Sequence, residues 1–94
     1  MNWIRISKTK RLDMSVGASG ESFIFDHETG IIYHLNRLGT LVFQSIQNEG
    51  RCSMDGLTEE IASSYLLPVD QISQEIEEFL DQLCHEGLAA WINN

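Results

Sequence analysis

The chain has 94 residues, 43% of them apolar and 21% charged, the profile of one soluble domain with a single modest core. No apolar run nears the ~18 residues a membrane span needs, and the N-terminus lacks the apolar stretch of a secretory signal. Fourteen acids against six bases give a net charge of −8, and residues 12–94 alone sum to −12, because Arg5, Lys8, Lys10 and Arg11 all precede the first acid.

In chain order, Met1 to Lys10 shows no clear period; with its bases it reads as a basic arm over residues 1–11, either frayed or tucked against the body by Trp3. Leu12, Met14 and Val16 alternate with polar residues, the pattern of a half-buried strand. Gly17 to Gly20 is a flexible connection. Ser22 to Asp26 is rich in sheet-favouring residues. His27-Glu28-Thr29-Gly30 is a tight turn whose glycine supplies a positive φ. Ile31 to Leu35 then reads as a third strand, with Ile31, Tyr33 and Leu35 on one face and Ile32 and His34 on the other. Bulk on both faces means that this strand is either covered twice or kept adhesive for something that arrives later.

At Asn36, a preferred N-cap, the period changes, and Leu38, Leu41, Val42 and Ile46 follow at helical spacing. That helix ends in Asn48-Glu49-Gly50. Ser53 or Asp55 caps a second helix with Leu57, Ile61, Ala62 and Tyr65 as its stripe, closed by Pro68. Asp70 caps a third helix, with Ile72, Ile76, Phe79, Leu80 and Leu83 on one face and Gly87 as its stop. Leu88 to Ile92 reads as a short strand or an extended tail that packs Trp91 on the body.

Three strands followed by three helices is an α+β arrangement, and the last two helices form a helix-turn-helix pair. The natural architecture is winged-helix-like, which raises DNA binding. The charge opposes it. The helix in the recognition position carries Asp70, Glu75, Glu77, Glu78, Asp81 and Glu86, with no Lys or Arg, so each approach to a phosphate would be repulsive. The acidic body suits a basic partner, or it serves solubility alone.

Catalysis and metal binding find no support in the spacing. Cys84 and His85 are helix neighbours whose side chains diverge by about 100°. Cys52, Cys84 and His85 match no zinc spacing. Two cysteines make no disulfide framework, which points to a reducing cytoplasm. His34 reads as a solvent-facing strand histidine in preference to a contact residue, and the acids of the third helix read first as a solvated face.

Gly30-Ile31-Ile32-Tyr33-His34-Leu35-Asn36 and Gly39 resemble the "G-x-x-Y-x-L-N-x-x-G" opening of the PqqD-like family. Leu57-Thr58-Glu59-Glu60-Ile61 with Tyr65 looks like that family's second helix. Glu75 to Leu83 followed by Glu86-Gly87-Leu88 is similar to its closing "D-v-x-x-F-L-x-x-L-x-x-x-G-L". The resemblance covers residues 12–92. It implies a non-enzymatic recognition element without a cofactor, which binds the leader of a ribosomally made precursor peptide. The leader is then presented to a modifying enzyme such as a radical SAM enzyme, a cyclase or a leader protease. The pathway is that of pyrroloquinoline quinone, of lasso peptides or of another modified peptide.

In such domains the leader adds as a strand to the third β-strand beside the third helix. Carried onto this chain, the peptide-binding candidates are Ile31, Ile32, Tyr33, His34, Leu35, Ile72, Glu75, Ile76, Glu78 and Phe79, with Phe79 read first as a core residue. Ile32, His34, Ile72, Ile76 and Phe79 would shape the pocket, and Glu75 or Glu78 would meet a basic leader residue. The alternatives are an acidic winged-helix adaptor and a DNA-binding regulator. An open edge strand and the flexible Gly17–Gly20 loop also permit strand exchange between two copies.

Overall fold

A computed structural model describes residues 2–93. The elements run β1 (Asn2–Ile6), β2 (Leu12–Val16), β3 (Ser22–Asp26), β4 (Ile32–Leu35), α1 (Arg37–Glu49), β5 (Cys52–Ser53), α2 (Met54–Tyr65), α3 (Val69–His85) and β6 (Ala89–Asn93). The expected antiparallel meander is present in the order β2-β3-β4, and three helices follow it. This is the α+β, winged-helix-like arrangement read from the periods.

A second sheet, β5-β1-β6, accompanies it. The N-terminal segment is its middle strand, antiparallel to β6 with Trp3 opposite Ile92 and Ile4 opposite Trp91. Ile4 anchors it, with no exposed surface, while Trp3 lies half-buried under the Arg51 guanidinium, 4.9 Å from the ring centroid. Ile4 and Ile6 do alternate with Arg5. A Trp on the opposite face at position 3 hides that alternation in the sequence.

The caps follow local chemistry. Asn36 accepts from Gly39 N–H at 2.8 Å and starts α1; Ser53 accepts from Gly56 N–H at 3.1 Å and starts α2. Helix α3 begins two residues earlier than the Asp70 cap expected: Pro68 is its N-cap, without a side-chain bond, and Asp70 sits in the first turn, where an acid favours the helix dipole. Gly50 (φ +83°) ends α1, and Leu66 (φ +56°) caps α2 in the left-handed region.

The stripe of α1 is rotated from the expected one. Gly39, Val42, Phe43 and Ile46 face the core, whereas Leu41 is exposed and Leu38 half-buried. Both sets fit a helical period, i, i+3, i+4, i+8 from Leu38 and i, i+3, i+4, i+7 from Gly39, and a glycine does not register as apolar in a pattern. The core joins Ile4, Ile24, Leu35, Phe43, Ile46, Leu57, Ile61, Ile76, Leu80 and Leu88. Ser22 and Thr40 share a fully buried hydroxyl bond of 2.7 Å that fixes β3 on α1.

Asp26, at the end of β3, has no exposed surface. It accepts from Lys10 Nζ at 3.0 Å and from Glu28 N–H at 2.9 Å, so one carboxylate ties the β3–β4 turn to the segment joining the two sheets. The Lys10 hydrogen bond holds the Asp26 carboxyl below its ordinary value of 3.8, and Asp26 in turn raises Lys10 above 10.5. The stability linked to Asp26 is therefore present above about pH 3.8 and lost as the pH falls through its depressed folded value; that linked to Lys10 is lost as the pH rises above 10.5.

Replacing Lys10 by Met should leave Asp26 buried without its cation and move the acid-unfolding midpoint, followed by circular dichroism, to higher pH. An unmoved midpoint would show that the pair does not hold the turn. For the rotated stripe, Phe43→Ala should lose about 3–5 kcal/mol in urea unfolding, and Leu41→Ala no more than about 0.5 kcal/mol.

Candidate functional site

The hydrogen-bond phase of the meander determines what β4 offers. Asp26 N–H donates to Ile31 C=O at 3.0 Å, and Phe25 stands opposite Ile32, Ile24 opposite Tyr33 and Phe23 opposite His34. Antiparallel pairs alternate between bonded and non-bonded. Tyr33 and Leu35 therefore direct their N–H and C=O groups to β3, while Ile32 and His34 direct theirs away from it. No strand lies on that side among the described residues. Two N–H and two C=O groups thus face an open edge free of Lys and Pro, the residues that usually blunt one.

Alongside this edge runs α3. A groove of about 220 Å³ between them is lined by Tyr33, His34, Leu35, Phe79, Gln82, Leu83, Glu86 and Leu88. A second hollow of about 460 Å³ lies between the start of α1, the β2–β3 connection and the α2–α3 corner, and Leu38, Tyr65, Leu67, Ile72, Glu75 and Arg37 help to line it. Ile72, Glu75, Phe79, Gln82, Leu83 and Glu86 recur every three or four residues, so one face of α3 borders both hollows over about 21 Å.

Three motif residues owe their identity to this geometry. Gly30, at φ +75°, closes the β3–β4 turn. Asn36 ends β4 by capping α1. Gly39 makes room for Phe79: a Cβ built there would lie 2.8 Å from Phe79 Cε1, so the ring is seated against bare backbone.

Of the ten candidates, Tyr33, His34, Leu35 and Phe79 line the groove, and Ile72 and Glu75 line the larger hollow. Ile31 is exposed beside the turn, its carbonyl taken up by Asp26. Ile32 turns its side chain to the outer face of the sheet, next to Phe25, and offers the edge only its backbone. Ile76 is sealed in the core with no exposed surface, so it presents nothing to a ligand. Glu78 is exposed and accepts from Gln74 Nε2 at 3.2 Å. Gln82, Leu83, Glu86 and Leu88 were not among the candidates, although stepping from Phe79 by three, four and seven residues reaches the first three of them.

His34 is solvent-facing as read, with Nε2 3.2 Å from Glu21 Oε1 and its ring 5.0 Å from that of Phe23. Carboxylates border both hollows at Glu21, Glu75 and Glu86; Arg37 is the one cation among the lining residues. Both thiols are pushed up, chiefly by burial and secondarily by neighbouring carboxylates, Glu49 and Glu60 at Cys52 and Asp81 at Cys84, which favours the un-ionised form. Among the described residues no group of three or more His, Cys, Asp or Glu is placed to hold a metal, and no helix is long and apolar enough to cross a membrane.

The family model described as "Coenzyme PQQ synthesis protein D (PqqD)" matches residues 21–89, and the chain belongs to that family. Its fold is similar to that of a solved structure titled "TbiB1 in Complex with the TbiA(beta) Leader Peptide": TM-score 0.73, 15% identity, 90% of this chain and 93% of the other covered. No curated protein matches the chain.

Gly39→Ala tests the seat of Phe79. The substitution gains about 1 kcal/mol of helix propensity, but displacing the ring costs about 1–3 kcal/mol by overpacking. The expected outcome is a net loss of up to about 2 kcal/mol in denaturant unfolding, with altered Phe79 ring resonances by NMR. A more stable variant with unmoved Phe79 would show that the ring does not need the glycine.

Proposed function

We propose that this chain is a non-enzymatic recognition module that binds the leader of a ribosomally made precursor peptide as an added strand on β4 and presents it to a modifying enzyme. The observation that carries the reading is the unpaired edge of Ile32 and His34 beside a groove walled by Phe79 and Leu83. Family membership supports it, as does the solved structure with a similar fold, whose title names a leader peptide. The partner enzyme suggested by the family resemblance is a radical SAM enzyme, a cyclase or a leader protease.

The energetics indicate what such a leader must contain. Four backbone bonds at about 1 kcal/mol net each are roughly cancelled by ordering the leader, at about 1–2 kcal/mol per residue. Strand addition supplies register and direction; affinity has to come from one or two apolar side chains, each contributing about 1.5–3 kcal/mol when fully buried. The groove beside Phe79 and the hollow floored by Leu38, Tyr65 and Ile72 are the places for them. Acidic rims favour a leader with Lys or Arg next to its anchors.

The test is fluorescence polarisation of labelled leader peptides encoded beside the gene, against the wild type and two proline variants. Ile32→Pro removes an outward N–H and no ladder bond, so the fold should survive, and the incoming carbonyl is left unpaired at about 1–3 kcal/mol, tenfold or more in affinity. Tyr33→Pro removes an inward bond and should unfold the hairpin. Undiminished binding by a folded Ile32→Pro protein would refute strand addition and favour an acidic adaptor that docks a basic surface.

A further inference from the structure

The outer face of the β2-β3-β4 sheet, away from the groove, is apolar and uncovered. Ile32 is 63% exposed, Phe23 53% and Phe25 36%. With Met14, Asp13 and Ser15 they border a shallow hollow of about 400 Å³. Two carboxylate–imidazole pairs bracket the face: His27 Nε2 lies 2.5 Å from Asp13 Oδ2, and His34 Nε2 3.2 Å from Glu21 Oε1. Each imidazole also leans on a phenylalanine, with ring centroids 4.6 Å apart for Phe25–His27 and 5.0 Å for Phe23–His34. Contiguous apolar surface of this kind marks contact with something else.

We propose that this face is a second reading surface for the same peptide, so that an added strand is recognised on both of its sides; the inference rests on strand addition at β4. The argument is one of register. The cross-strand rows Phe25–Ile32 and Phe23–His34 run across the sheet and stop at β4, at the two residues whose N–H and C=O groups face the open edge. Residues paired directly across a ladder share a face. A peptide bonded to Ile32 and His34 therefore places the side chains opposite them on the outer face, continuing each row by one member. The peptide residue between them, opposite Tyr33, turns into the groove toward Phe79.

The ligand class follows from the two rows. The position opposite Ile32 takes an aromatic or β-branched side chain, which covers Ile32 and the rim of Phe25. The position opposite His34 lies next to the Glu21 carboxylate, so it takes an aromatic or basic residue and rejects an acid. With an apolar anchor in the groove between them, the recognised segment is a short extended run without acids, bulky on both sides.

The test selects short random peptides by mRNA display on the wild-type protein, then measures one selected sequence by fluorescence polarisation. Its outer-face positions are identified by N-methyl scanning of the peptide backbone. Changing the residue opposite Ile32 to Asp should weaken binding to the wild type by about tenfold or more, but by less than about threefold in the Ile32→Thr, Phe25→Thr double variant, the signature of direct coupling. Both substitutions are at exposed sheet positions and keep or approach strand propensity, and a thermal melt confirms the fold.

Equal losses in both proteins, with binding still weakened about tenfold or more by Ile32→Pro, would leave strand addition standing and overturn the second surface. Selected peptides that bind Ile32→Pro as well as wild type would overturn both. Unchanged peptide binding by the Thr variant, with loss of a dimer seen by sedimentation of the wild type, would assign the face to a second copy and overturn the inference.

Discussion

β4 directs the peptide groups of Tyr33 and Leu35 to β3 and leaves those of Ile32 and His34 without a partner, and the character of the surrounding surface depends on that alternation. A shift of one residue would exchange the two sets and turn Leu35 out of the core. The phase is set at both ends of the strand. At the start, buried Asp26 gathers Lys10 and the Glu28 amide, and Gly30 completes the turn with its positive φ. At the finish, Asn36 caps α1 and stops the strand one residue after Leu35. Four residues pinned between a salt-bridged turn and a helix cap have little freedom to slip.

An edge of this kind invites aggregation, and β4 carries neither the Lys nor the Pro that usually blunts one. Shortness is one restraint, since the described edge offers two residues' worth of bonds. Charge is another. With a net charge of −8, two copies repel before their edges meet, whereas a neutral or basic peptide is not repelled. The same acidity runs along the helix-turn-helix pair: α3 carries five acids and no Lys or Arg, so it would meet each phosphate of a nucleic acid with repulsion.

Much of this was legible in the sequence because the deciding residues act locally. The alternation in residues 12–16 and 22–26, the Gly30 turn, the Asn36 cap and the three helical periods each follow from neighbours close in the chain. The misread parts depend on distant partners. β1 is a strand because β6 pairs with it from the far end of the chain, and a two-residue strand such as β5 has no period to detect. The α1 stripe was placed a quarter-turn away because Gly39 faces inward for the sake of Phe79, forty residues on. Among the candidate site residues, the α3 face was legible up to Phe79. Ile76 was not separable from it, since core and groove residues on one helix share the same spacing. That Ile32 contributes backbone to the edge and its side chain to the opposite surface required the hydrogen-bond phase, which the sequence does not state.

The second sheet, absent from the sequence reading, bears on the groove as much as β4 does. The end of α3 is stitched to it: Leu88 N–H donates to Leu83 C=O at 2.9 Å, and Ser7 N–H to Leu88 C=O at 2.9 Å, so the helix C-terminus is tied to β1. The opposite wall, β4, is held by a different set of bonds, through Asp26, Asn36 and the Ser22–Thr40 hydroxyl pair. Phe79 seated on Gly39 then braces α3 against α1 between the two hollows. The walls of the groove are thus fixed independently and cross-braced once, which sets the groove's width before any ligand arrives. A preformed cleft lowers the ordering cost on the protein's side of an association. On the proposed strand addition the peptide would bear most of that cost, and its affinity would depend chiefly on how well its side chains fill the space beside Phe79.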